Sequence, residues 1–148
     1  MIAYIGTQYD QGGFTMISAQ RNKYLETTIQ TASPAQLLIM LYDGAIRFCR
    51  AGIEAIRNNN VKDANVNLIK AQDIVSELII TLDRSAPVSE SLLKLYEYFG
   101  HLLIQANIKK SAEPVEEVLQ YLLELKETWI QANKLAVSGS AGSGVQHA

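Results

Sequence analysis

Between Thr31 and Ala136 the chain repeats one pattern four times: a run of about twenty residues whose apolar side chains recur every three or four positions, then a short polar break. A period near 3.6 gathers those side chains on one face of an α-helix. A strand would alternate every second residue, and no alternating run competes. An amphipathic helix must bury its stripe against another element, so four such helices predict mutual packing.

The boundaries are written in the residues. Ser33 is a good N-cap, and Pro34 falls at the first helical position, where its missing N–H costs nothing. Leu37, Leu38, Leu41, Ala45, Phe48, Gly52, Ala55 and Ile56 form the first stripe, which ends at Asn58-Asn59-Asn60. The second carries Val61, Ala64, Leu68, Ala71, Val75, Leu78 and Leu82, a heptad spacing. It stops before Asp83-Arg84-Ser85 and Pro87. The third has Leu92, Leu95, Tyr96, Phe99, Leu103 and Ala106, closing at Lys109-Lys110, cations suited to a helix C-terminus. The fourth starts near Ser111 and carries Val115, Val118, Leu122, Leu125, Trp129, Ala132 and Ala136. Matched lengths and short connections predict an all-α fold, an antiparallel up-down-up-down four-helix bundle over residues 31–136. Residues 1–30 are mixed in composition and are expected to be a partly disordered segment with a cap near 24–30. Residues 137–148, VSGSAGSGVQHA, read as a flexible Gly/Ser-rich tail. Met16 is a second candidate start.

The apolar surface exceeds one stripe per helix. Ile39, Tyr42, Ile46, Cys49 and Ile53 run beside the first stripe, and Ile69, Ile74, Ile79 and Ile80 widen the second. Tyr98 and Leu102 widen the third. Two readings stand. Wide stripes can pack against two neighbours each, as bundles require, or they can line a groove for a partner helix. Tyr24 and Ile29 are anchor-type residues in a polar stretch, suited either to a removable cap over such a groove or to a staple at the first helix.

Composition removes other classes. Thirteen basic against fifteen acidic residues give a net charge of -2, which argues against nucleic acid. The first twenty residues lack the charge and apolar run of a signal peptide, and no stretch is apolar enough to insert in a membrane, so a cytoplasmic protein is expected. Cys49, the single cysteine, fits a reducing compartment and has neither a zinc partner nor an evident base. His101, four residues after Glu97, lacks the paired Glu-x-x-His motifs of a di-iron bundle. No phosphate loop or nucleophile elbow occurs. No catalytic residue, metal or cofactor is expected. Gly44 and Gly52, eight apart, suit a close helix approach.

The residues also carry a resemblance. TASP at 31–34 followed by Leu41-Tyr42-Asp43-Gly44-Ala45 resembles the opening helix of the FliS family of flagellar secretion chaperones. Lys70-Ala71, Ile74, Glu77-Leu78 and Leu82-Asp83 are similar to its second helix. Leu95-Tyr96, Tyr98, Leu103 and Ala106-Asn107 match its third, and Glu117-Val118 with Trp129 match its fourth. The resemblance spans about residues 22–136, and the family's frequent Asn-Pro-Tyr opening is absent. It implies a helical bundle without enzymatic activity that binds the disordered C-terminal segment of flagellin, prevents premature polymerisation and delivers it to the export apparatus. It implies an N-terminal segment that occupies part of the groove and yields on binding. On it, Ile39, Tyr42, Ile46, Ile53, Ile74, Leu95, Tyr98 and Leu102 are expected to line the groove, Tyr24 and Ile29 to cap it, and Asp43 and Asn107 to serve as polar anchors. The export gate and a flagellin-regulating protein are further partners it leaves open, with a monomer or weak dimer expected. The rival reading is a generic helical adaptor or regulator for another amphipathic segment.

Overall fold

In the computed structural model the described residues are 32–146, with side chains described to residue 139. They form four helices and, among the described residues, no strand: α1 (Pro34–Arg57), α2 (Val61–Thr81), α3 (Ser89–Lys109) and α4 (Ala112–Gln146). Tyr24 and Ile29 lie outside the described residues. α1 packs on α2 and α4, and α3 packs on the same two, so α1 and α3 face each other across the diagonal of a four-helix bundle.

Local chemistry sets each end. Ser33 is extended; its hydroxyl accepts from the Gln36 N–H at 3.2 Å, and the Gln36 side chain accepts from the Ser33 N–H at 2.9 Å. This reciprocal box satisfies two donors that the first turn leaves without intrahelical partners. The three asparagines divide the α1–α2 turn between them. Asn58 closes α1, Asn59 takes a left-handed φ of 57°, which Asn tolerates better than most residues, and Asn60 caps α2 by accepting from the Asp63 N–H at 3.1 Å. Between α2 and α3 the Asp83 carboxylate accepts from the Ser85 N–H and hydroxyl, which holds its carboxyl below the usual range. α3 ends on Lys110 in a left-handed conformation.

One boundary differs from expectation. α4 does not stop at Ala136 but continues to Gln146. Gly and Ser in a helix each cost no more than about 1 kcal/mol, and α4 is already nucleated by the bundle, so the helix extends without a new nucleus. Asp43 of α1 meets Lys126 of α4. Counting antiparallel from that tie, about eleven residues of α4 overhang the start of α1, roughly 16 Å at 1.5 Å per residue.

The interior is filled by Leu41, Tyr42, Cys49, Leu68, Leu78, Tyr96, Phe99, Leu103, Val115, Val118 and Leu122, all nearly or fully buried. Two glycines bring α1 onto α2. A Cβ at Gly44 would stand 2.9 Å from Ile74 Cδ1, and one at Gly52 would stand 2.8 Å from Leu68 Cδ2. Each neighbour's side chain thus occupies the space that a larger residue would need.

Candidate partner-binding surface

The second stripe of α1 goes inward. Tyr42, Ile46 and Ile53 are buried, as are Ile74 on α2 and Leu102 on α3. This corrects the expectation that they line an open groove. α1 is flanked by α2 on one side and α4 on the other, and an apolar arc serving two neighbours is wider than a single stripe. Ile39 and Leu95 are half-buried, and Tyr98 is exposed. The expected polar anchors are engaged within the chain. Asp43 pairs with Lys126 of α4 at 2.5 Å, and Asn107 accepts from Lys110 and donates to Asn65 of α2 at 2.8 Å.

The seams between helices differ in chemistry. The α1–α4 seam carries two ion pairs, Asp43–Lys126 and Arg57–Glu116, each 2.5 Å long. The α3–α4 seam carries Tyr98, whose hydroxyl donates to Glu117; that bond favours the protonated phenol and raises its pKa. Beside it Tyr121 stacks on Phe99 at 5.7 Å, tilted by 40°. On the α2–α3 seam, the side-chain tie described is the Asn65–Asn107 amide pair. Between α1 and α2, Arg47 of α1 and Lys70 of α2 stand over the Phe48 ring at 5.1 and 5.3 Å.

Among the exposed apolar side chains, which also include Ile80, Val88, Leu135 and Val137, two groups gather at separate seams. Ile104 lies one turn before Ile108, and both neighbour Asn107, which reaches across to Asn65; Val61 lies one turn before Asn65. Helix geometry therefore gathers Val61, Ile104 and Ile108 on the outer α2–α3 edge, where Ile108 is 77% exposed. Tyr98 and Tyr121 form the second apolar area, at α3–α4. The sequence reading missed Ile104 and Ile108. Their signal is an i, i+4 apolar pair off the buried stripe of α3. Gly100, one turn before Ile104, has open space where its Cβ would stand, unlike Gly44 and Gly52.

Chemistry beyond contact is sparse. His101 is exposed and bonds Gln105 at 3.0 Å. Cys49 is fully buried, and burial pushes its thiol up to about 12, far from a reactive thiolate. Among the described residues no group of acidic, histidine or cysteine side chains could hold a metal, and no helix is long and apolar enough to cross a membrane. Deep in the interior two tyrosines meet. The Tyr42 and Tyr96 hydroxyls bond each other at 2.8 Å, and burial raises both pKa values. The buried Trp129 Nε1 makes no hydrogen bond of ordinary geometry, yet its N–H bears on Tyr42 and partly opposes that rise.

Comparison with known proteins places this surface in context. Residues 16–136 match the family described as flagellar protein FliS. A flagellar secretion chaperone FliS of Bacillus subtilis is 38% identical over 121 residues, 82% of this chain and 91% of the relative. Proteins of the same description from Campylobacter jejuni and Escherichia coli are 33% identical over 110 residues and 30% over 108. They cover 73% and 71% of this chain, and 86% and 79% of their own lengths.

Proposed function

This chain belongs to the FliS family of flagellar secretion chaperones, and from that premise we propose that it is a cytoplasmic, non-enzymatic carrier for flagellin. It holds the disordered C-terminal segment, keeps the subunit from polymerising and hands it to the export apparatus. The observation that carries this reading is that exposed apolar residues stand at several separate places on the bundle, among them Val61, Ile104 and Ile108 at the α2–α3 edge and Tyr98 and Tyr121 at the α3–α4 seam, with Ile80, Val88 and Leu135 elsewhere. A single partner helix needs one groove. A segment that wraps the bundle as short helices and extended links needs separate apolar stations around it, which this surface supplies. Wrapping also suits the energetics, because a disordered client loses chain entropy on ordering and needs a large contact area to offset it.

On this reading Ile39, Leu95 and Tyr98 remain contact residues, reachable from outside, with Ile104 and Ile108 added. Tyr42, Ile46, Ile53, Ile74 and Leu102 support the surface from beneath. Tyr24 and Ile29 serve as the displaceable cap, whose removal on binding subtracts from affinity. Asp43 and Asn107 offer polar contacts only by exchanging their intrachain partners.

The test is calorimetric titration of the full chain with a peptide of about forty residues from the C-terminus of its flagellin, where a one-to-one complex with a large negative heat-capacity change is expected. Ile104→Glu/Ile108→Glu and Tyr98→Glu should each weaken binding by about tenfold, equivalent to 1.4 kcal/mol, with unchanged circular dichroism. Equal affinity for unrelated amphipathic peptides would favour the generic adaptor instead.

A further inference from the structure

The Tyr42–Tyr96 pair lies where a helical bundle ordinarily has only hydrocarbon. Tyr42 is 0% and Tyr96 1% exposed. Theirs is a buried side-chain hydrogen bond between helices, with the Trp129 N–H of α4 bearing on Tyr42 beside it; the ties at Arg57–Glu116, Asp43–Lys126, Tyr98–Glu117 and Asn65–Asn107 are at the surface. It joins α1 to α3, which share no broad packing because they sit across the diagonal. Tyr42 is the ninth residue of α1 and Tyr96 the eighth of α3, so the bond holds two helices of the same direction at matching height. Trp129 Nε1 of α4 is a third buried donor beside them, bearing on Tyr42 without a hydrogen bond of ordinary geometry.

We propose that this pair is a registry lock, which keeps the apolar interior closed to slipped, swapped or foreign helices. The purpose rests on the chaperone reading: a molecule that handles amphipathic segments must keep its own helices from exchanging with them. The physics does not depend on the client. A slip of α1 by one turn, about 5.4 Å, parts the hydroxyls. A client or swapped helix in place of α1 or α3 removes one of them. Either event strands a buried hydroxyl without a partner, and an unpaired buried polar group is costly where a hydrocarbon would be indifferent. Buried polar residues enforce register in this way in other helical assemblies.

The test uses the full chain without client, so a negative flagellin titration leaves its outcome intact. Tyr42→Phe/Tyr96→Phe keeps both rings and removes both hydroxyls. It is expected to melt at or above the parent temperature. After refolding from urea at high concentration it should show a several-fold larger fraction of exchanged dimers by size exclusion with light scattering. Tyr42→Phe alone strands the Tyr96 hydroxyl and is expected to melt below both the parent and the double variant. The lock is overturned if the double variant refolds to the parent's distribution of species at every concentration. It is equally overturned if the two single substitutions simply add in the double.

Discussion

Burial decides what Cys49, Tyr42 and Tyr96 can do. All three hold their protons in the folded bundle, because a charge there would lose its hydration without gaining a partner. In the unfolded chain the thiol ionises from its ordinary value of 9.0, whereas in the folded chain it is pushed up to about 12. The sign follows from the protons bound: the contribution of Cys49 is complete below 9, and stability falls as pH rises from 9 toward 12 because only the unfolded state gains by ionising. The tyrosines act in the same direction from their ordinary value of 10.0 upward. Urea unfolding across alkaline pH should therefore show a decline that begins with the thiol and steepens with the phenols. Cys49→Ala should lower stability at all pH values through lost packing yet flatten the first part of that decline, by up to about 1.4 kcal/mol per pH unit. Identical slopes in parent and variant would locate the proton release on unfolding elsewhere.

At the scale of an element, the helical glycines make opposite predictions from the same residue type. Gly52 is filled by Leu68 and Gly44 by Ile74, whereas Gly100 faces open space. Gly100→Ala is expected to stabilise α3 by about 0.5–1 kcal/mol, the ordinary gain of Ala over Gly in a helix. Gly52→Val should destabilise by about 1–3 kcal/mol, because Leu68 and the α2 backbone must move away. Chemical denaturation of the two variants beside the parent separates these outcomes; a stabilised Gly52→Val would mean that α1 and α2 do not approach as described. The helices themselves were legible in the sequence for local reasons. Ser33-Pro34, the asparagine run and the Lys109-Lys110 end are short-range signals, and the structure follows them closely. The end of α4 was not legible, since a Gly/Ser composition describes an isolated chain, while residues 137–146 continue a helix that the bundle has already started. The division of apolar residues between interior and surface was half legible. Periodicity names a face, but whether Tyr42, Ile46 and Ile53 point into a groove or a neighbour depends on where α4 packs, which no residue of α1 encodes.

For the whole molecule, the bundle and the α4 overhang are separable. Every described side chain from Lys134 to Gly139 is exposed, Leu135 and Val137 among them. Truncation after Ala136 should leave the melting temperature within about a degree, consistent with surface changes of less than roughly 0.5 kcal/mol, while reducing the far-UV helical signal. A large loss of melting temperature would show that the overhang has packing partners in solution. The bundle's closed interior bears on how such a carrier cycles. Its own side chains fill the space between the helices, so on the proposed carrier reading discharge of a cargo uncovers outer seams and not an emptied core. The step between one cargo and the next is then the return of the cap, with no repacking of the bundle.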